Sequence, residues 1–594
     1  MTGIDDLDGL LAETSDAPPS DVLDRVLDRI VAALPDGPGR HDRIGELVDE
    51  SRAAWQWLLG GRRRGRILLL SGGWSASALA LARVWEHVTV LDPSSAACGF
   101  LERRAAEAGF GNLEAVADAC TDRLPCGDTT FDALCWSATP SGRVPCAPAA
   151  SPHELAPLLR EAARVLAPGG ELYLGLPNRW RRSRLLQKSP DPLYTLDNVV
   201  RAVRAAGLRL HSLHAHENDD AQERFFVDLS DRVAIRAFQD QHPGRGRHLP
   251  LWFYRRMTPQ YAVVAGPQPA GTPWLTGALR HVRRLLDADG HGWTASPPAV
   301  NRKGKLVSIL SRAKRAAWVV KIPLRPEIRE DMERAGRVLD DLSARLPGDD
   351  LLAGLLPRDL RRIDYEGMPL YVESACAGRP WAAYRKRPPR VRDTDLPEVL
   401  ARLLELDAAP STPPGVPAEK AALLSDLLAR HAPGLTGVLD TVATRLDDAG
   451  SGRPAMLRKG DLTLSNVFLD GARVSGLIDW DETESSRLPL SAYADLVFSW
   501  LWQFGGVRRA DGLALCAGGA LDDMPRALDV RETLARLGGD AEAFATAALA
   551  SWLDHAYHEL KHPVFGHQPD RLRGLLIEPC RALARLWGQP VASA

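Results

Sequence analysis

Across the stretch 266–298 the hydrophobic patterning changes from one rule to another, and that change constrains the fold more than any other feature of the chain. Before it, short apolar runs alternate with helical periodicity. Arg66–Leu70, His87–Leu91, Phe131–Trp136 and Glu171–Leu176 read as strands, separated by helices over Ala76–Trp85, Leu101–Ala108 and Glu154–Leu166. Such alternation predicts a parallel sheet with crossover helices, and Tyr261–Ala265 closes the unit. After it, two adjacent strands (Lys305–Leu310 and Ala317–Ile322) precede a long helix, Ile328–Leu346, and a mostly helical remainder, so a small sheet lobe leads into a helical lobe. The stretch itself is punctuated by Gly266-Pro267, Gly271-Thr272-Pro273 and Ser296-Pro297-Pro298 around one helical run near Leu279–Leu286, which reads as a linker. Upstream, Val22, Leu23, Val26, Leu27 and Ile30 recur at helical spacing. The predicted organisation is an N-terminal helical segment (1–60), an α/β unit (61–265), a linker (266–298) and an α+β unit (299–594).

A chain of 594 residues exceeds what one hydrophobic core serves, and 45% hydrophobic with 25% charged residues is the balance of a folded protein. A net charge of -2 excludes a nucleic-acid-binding field, so no nucleic-acid partner is expected. The eight cysteines show no paired spacing, which argues against a zinc module or a disulfide scaffold and for a reducing compartment. The acidic opening, Met1–Asp16, lacks the basic and apolar segments of an export signal. No apolar run approaches the roughly 20 residues of a membrane span. The expectation is a cytoplasmic chain with no membrane partner.

The strongest chemical signal is Leu457–Asp481, LRKGDLTLSNVFLDGARVSGLIDWD. Asp461 and Asn466 stand in D-x-x-x-x-N spacing, which aims a carboxylate and an amide into one cleft. Val467–Leu469 and Val474–Ile478 alternate around Asp470-Gly471 as a hairpin, which returns Asp479 to that cleft. Phosphoryl transfer needs such a set, because it rests on positioning and charge neutralisation. The segment resembles the H-G-D-x-x-x-x-N and I-D-W/F motifs of the aminoglycoside phosphotransferase family, whose fold is two-lobed and protein-kinase-like. The resemblance implies Asp461 as the catalytic carboxylate, Asn466 and Asp479 as ligands of Mg2+, and ATP or GTP as donor. It also implies that Tyr493-Ala494-Asp495-Leu496 holds the acidic anchor of the catalytic loop. Lys321, in Trp318-Val319-Val320-Lys321-Ile322, takes the place of the phosphate-pairing lysine, with Glu333, or else Glu330, as its ion-pair partner. Glu373, ahead of Gly378-Arg379-Pro380, falls in the hinge that holds adenine. Helix 421–448 and the stretch 541–562 complete the helical lobe. Two positions depart from the family: Lys459 stands where it has histidine, and the phosphate-covering loop Asn301–Lys305 carries one glycine and three cations.

Residues 61–265 resemble class I S-adenosylmethionine-dependent methyltransferases with their Rossmann-like sheet. Asp92 ends Val90-Leu91-Asp92, where that family binds ribose, and Asp118 matches its adenine-contacting position. Val165–Glu171 resembles its "LkPGG" turn, and Leu176–Arg179 a motif of glycan and secondary-metabolite members. In the cofactor loop, Leu69–Ser75, Gly73 matches, but Leu69 replaces the acidic residue and Ser71 and Ser75 replace glycines. Either S-adenosylmethionine is used or the domain is degenerate and kept for scaffolding. His211, His214 and His216 fall on one exposed strand face, His555, His558 and His562 have helical spacing, and Arg179–Arg184 is a basic run that a phosphorylated substrate could meet. The favoured reading is phosphoryl transfer to a hydroxyl of a small molecule, saccharide or peptide in a biosynthetic setting. Methylation with an auxiliary kinase domain, and an inactive substrate-binding scaffold, are the alternatives.

Overall fold

In the computed structural model the chain is described over residues 18–589, except 34–37, 61–63, 71–74, 119–122, 138–154, 179–193, 219–222, 242–249, 270, 287–291, 313–314, 359, 385–387, 409–416, 489 and 567. Gly73 and the basic run Arg179–Arg184 lie outside the described residues. The chain folds as two units. The first comprises Met1–Arg315, Val319–Arg325 and Arg362–Leu370, and the second comprises Ala316–Trp318, Pro326–Arg361 and Tyr371–Ala594.

The first unit is organised by a mixed sheet. Its strands are β1 (Arg66–Leu70), β2 (His87–Asp92), β3 (Leu113–Ala117), β4 (Phe131–Ser137), β5 (Leu166–Pro177), β6 (Arg209–Asn218), β7 (Glu223–Asp228), β8 (Gln260–Gly266), β9 (Trp293–Ala295), β10 (Ala299–Asn301) and β11 (Lys305–Arg312). They run in the order β3-β2-β1-β4-β5-β8-β6-β7-β10-β11, with β9 paired to β11. Strands β3, β2, β1, β4 and β5 are parallel. Ile67, Leu68, Leu69 and Leu70 of β1 are all buried, as a central strand covered on both faces requires. β8 does not merely close the unit: it inserts antiparallel between β5 and β6.

Among its described residues the segment 266–298, read from its Gly and Pro content as a linker, carries the expected helical run, beginning earlier at Trp274, and the strand β9. The helix Trp274–Leu286 buries Trp274, Leu275, Ala278, Leu279 and Val282. Trp274 donates its backbone N–H to Leu59 O (2.8 Å), and its ring lies 4.6 Å from that of Trp57 in the 3-10 helix Glu50–Leu58. Beyond it, β10 pairs antiparallel with β7 (Ala299 opposite Phe225, Val300 opposite Arg224) and with β11. The sheet therefore runs without interruption from the strand-and-helix alternation into the strands that open the second pattern. Asn301 caps the following turn, its Oδ1 accepting the N–H groups of Gly304 (3.0 Å) and Lys305 (2.8 Å).

Strands β12 (Arg315–Pro323), β13 (Arg361–Tyr365) and β14 (Met368–Ser374) follow, with the helix Pro326–Arg345 after β12. The second unit then adds β15 (Arg379–Pro380), β16 (Met456–Arg458), β17 (Val467–Asp470), β18 (Arg473–Leu477) and β19 (Glu484–Ser486) among helices. The predicted helix 421–448 is two, Pro417–His431 and Thr436–Gly450, because Pro433-Gly434 breaks it. Ser491–Gln503 and Ala541–Leu560 pack in the middle of this unit, and their apolar faces join two cores.

Candidate active site

The loop between β16 and β17 carries Lys459-Gly460-Asp461-Leu462-Thr463-Leu464-Ser465-Asn466. Leu462 and Leu464 are fully buried and fasten it to the helical core, and Leu464 N–H donates to Ser499 Oγ at 3.1 Å. A tight turn follows Asp461, with Thr463 N–H donating to Asp461 O (2.8 Å) and Asn466 N–H to Thr463 O (2.9 Å). This turn brings the two predicted residues together. Asn466 Nδ2 donates to Asp461 O (2.8 Å) and to Asp461 Oδ2 (2.9 Å). With its NH2 group so engaged, Asn466 presents its Oδ1 as the atom that can meet a cation.

The hairpin β17–β18 forms around Asp470-Gly471, and Ile478 N–H donates to Asn466 O at 3.0 Å, so the returning strand is stitched to the loop. Asp479 comes next. Both Asp461 (φ 50°) and Asp479 (φ 59°) sit in the left-handed region, a conformation that costs on the order of 1 kcal/mol for a residue with a Cβ and clusters at functional sites. Gly460 is needed for closeness rather than for φ: a Cβ there would lie 2.1 Å from Glu482 O.

Lys459, where the resemblance expects histidine, is buried and gathers two backbone carbonyls of the loop and the returning strand. Its Nζ donates to Gly460 O (3.3 Å) and Asp479 O (3.0 Å) and lies 5.5 Å from the Trp480 ring centroid. Burial pulls its pKa below the usual lysine value, against the opposing pull of Asp461 and Asp479.

The residues implied for the nucleotide lie on other elements. Lys321 is on β12 in the first unit, and Glu333 is on the helix Pro326–Arg345 in the second. Glu333 Oε1 accepts from Tyr371 OH (2.9 Å) and Arg329 Nε (3.0 Å). Glu330 is exposed on the same helix. Glu373 is buried near the end of β14, where Ser374 N–H donates to Arg358 O (2.9 Å) and Ala375 N–H to Ala317 O (2.9 Å). The Gly378 turn behind it is close-packed, since a Cβ would meet Leu469 O at 2.2 Å with φ at 79°.

In the first unit Asp92 is buried at the C-terminal end of β2, and its Oδ1 accepts from Ser94 N–H at 2.7 Å. Asp118, just past β3, donates its N–H to Asp92 O (2.9 Å), so these two predicted residues adjoin. The histidine runs do not form clusters. A bulge at His211 in β6 breaks the alternation: His211 Nδ1 pairs with Glu171 (3.0 Å), whereas His216 stacks on Phe226. His555 contacts Arg509 at 2.9 Å, and burial pushes His558 down to about 3. Among the described residues no group of three or more His, Cys, Asp or Glu could hold a metal.

Directly behind the loop lies a buried ionic cluster of which sequence reasoning singled out only Asp495. Arg458 meets Glu484 (3.0 Å), Asp495 (3.1 Å) and Asp554 (2.6 Å), and Lys420 meets Glu484 (2.6 Å) and Asp554 (2.5 Å). Burial raises Asp495 to about 6 despite Arg458. Burial also raises Glu484, whereas Arg458 and Lys420 overcome burial to hold Asp554 below the usual carboxylate value. Asp554 and Lys420 stand on helices with no local motif to mark them.

Residues 67–170 match the family described as "Methyltransferase domain", and residues 307–511 match the "Phosphotransferase enzyme family". The chain joins a methyltransferase domain to a phosphotransferase domain. Both are transferase folds, and the second match includes Asp461, Asn466, Asp479 and Lys321. Among solved structures, the chain is similar to an aminoglycoside phosphotransferase from Streptomyces rimosus at 21% identity (46% of this chain, 98% of that one, TM-score 0.32). An ADP-bound aminoglycoside phosphotransferase is 13% identical (47% and 91%, TM-score 0.31). A SAM-dependent methyltransferase from Aquifex aeolicus is 18% identical (32% and 91%, TM-score 0.23). No curated protein matches the chain. No helix among the described residues is long and apolar enough to cross a membrane.

Proposed function

We propose that the phosphotransferase domain moves the γ-phosphoryl group of ATP or GTP to a hydroxyl of a small molecule, saccharide or peptide. The observation that carries this reading is the hydrogen bond from Asn466 Nδ2 to Asp461 Oδ2, which fixes the orientation of the Asp461 carboxylate beside the amide. Asp461 accepts the hydroxyl proton as the oxygen attacks phosphorus, with the diphosphate leaving in line. Asn466 Oδ1 and the Asp479 carboxylate would hold a magnesium ion, since oxygen donors are the chemistry that suits Mg2+. Magnesium, when bound, supplies charge neutralisation at the terminal phosphates. Lys459 holds the Gly460 and Asp479 carbonyls to one point, which supports its reading as a substitute prop for the loop. By family resemblance Lys321 pairs with phosphates, Glu333 orients Lys321, and the segment around Glu373 receives adenine.

For the methyltransferase domain we infer that Asp92 and Asp118 line the nucleoside end of a cofactor crevice, since both stand at the carboxyl ends of parallel strands. S-adenosylmethionine is the cofactor that this placement suits, and the altered loop at Leu69, Ser71 and Ser75 weakens its hold. A tailoring step on a biosynthetic product accommodates both domains. The deciding experiment is release of ADP or GDP with candidate alcohols in the presence and absence of magnesium. Nucleotide binding that ignores magnesium, with no turnover on any alcohol, would replace the proposal with the scaffold reading.

A further inference from the structure

The ionic cluster behind the loop has no place in the transfer chemistry, yet it is built with care. Arg458 is 2% exposed, and its guanidinium reaches three carboxylates on three different elements: Glu484 on β19, Asp495 on Ser491–Gln503 and Asp554 on Ala541–Leu560. Lys420, from Pro417–His431, closes the ring by bridging Glu484 and Asp554. Ser551 Oγ donates to Asp495 Oδ1 at 2.5 Å and fixes the third acid. Every one of these side chains is close to fully buried.

Burying five charges carries a desolvation cost that well-packed apolar side chains would avoid, so such a cluster is weak evidence for stability and better evidence for a fixed geometry. The feature needing that geometry lies three residues away. Arg458 is the last residue of β16, which has only three residues; it pairs with β19 at Met456–Ser486, Leu457–Ser485 and Arg458–Glu484, and its other side is held by a single bridge, Met456 opposite Asp407, with Leu457 N–H donating to Leu406 O at 2.8 Å. A two-stranded ribbon of that length is not self-supporting. Directly after it come Lys459, the close-packed Gly460 and the left-handed Asp461. A planar fork that grips several carboxylates at once is what holds the start of such a loop in one orientation.

We propose that Arg458 is a positioning residue for Asp461, acting through a buried network with Lys420, Glu484, Asp495, Asp554 and Ser551 that clamps three helices to the start of the catalytic loop. The role in transfer rests on the phosphotransferase reading, whereas the clamp itself does not.

The test uses the full chain with ATP, magnesium and water as acceptor, alongside amide hydrogen exchange. In Arg458→Met, exchange over 459–466 accelerates about tenfold or more while peptides of the first unit are unchanged. ATP affinity stays within about threefold, hydrolysis falls at least roughly tenfold, and Arg458→Lys recovers part of the loss. Unchanged exchange over 459–466 in folded Arg458→Met overturns the proposal, as does faster exchange spread evenly over the second unit. Should Arg458→Met not fold, Ser551→Ala loosens Asp495 without stranding a charge, and its exchange must still rise first at 459–466; no rise there overturns the clamp. Wild-type protein that binds no ATP defeats the phosphotransferase reading alone, because the exchange comparison still decides the clamp.

Discussion

At the scale of single residues, the site separates into groups whose loss has different signatures. On the proposed function, Asp479→Ala would remove a magnesium ligand, and the expected outcome is a fall in both nucleotide affinity and turnover, read by calorimetry with and without magnesium. On the same reading, Asp461→Asn is expected to leave nucleotide binding intact and to lower transfer by on the order of a hundredfold or more, because the proposed proton acceptor would be lost while the donor pair remains. Asp495 gives a pH signature. Its folded pKa is raised by burial to about 6 from the usual 3.8, so between those values the folded state holds a proton that the unfolded state has released. Stability from this group is therefore full below the unfolded value and falls as pH rises through about 6, by up to roughly 3 kcal/mol. Melting of wild type against Asp495→Asn at pH 5 and pH 7 checks the sign: the wild type loses ground to the variant as pH rises. Asp461, Asn466 and Asp479 were legible in the sequence because local turns bring them together. Of the cluster around Arg458 only Asp495 was read, through the resemblance, since Lys420 and Asp554 stand 134 positions apart and no local pattern joins them.

At the scale of elements, an apolar run bounded by turn residues was a sufficient signal for β1, β2 and β4, whose burial is on both faces. It was insufficient for β6 and β8. A bulge in β6 changes which histidines share a face, and the insertion of β8 between β5 and β6 is a long-range pairing that no window reports. Gly/Pro composition misled at 266–298 because it reports turns and not exposure: the helix Trp274–Leu286 between those turns is anchored by buried tryptophan. Close approach makes its own prediction in the second unit. Gly378→Ala drives a methyl group into Leu469 O on β17, so thermal unfolding shifts down by several degrees, reflecting a loss of about 2 kcal/mol or more.

At the scale of the whole molecule, the division between the two patterns in the sequence is not where the chain is cut into units. The first unit runs on through β10 and β11, which complete the edge of β7. Limited proteolysis of the full chain should spare residues 274–286. A fragment ending at residue 298 should aggregate or melt earlier than one ending at residue 325, since it leaves β7 as an open edge. Equal stability of the two fragments, measured by thermal melts and gel filtration, would show that the pairing is dispensable.

The pairing of Ala299–Asn301 with Glu223–Phe225 also bears on ancestry. Genes for two enzymes are readily spliced where the encoded chain crosses open solvent, and each half can later be exchanged for another. Here the splice has healed over. A recombination that swapped either half at 266–298 would hand the recipient a strand with a stranger for a neighbour. The two halves are thus expected to pass down lineages together, and a graft of either one must carry the other's bordering strand with it.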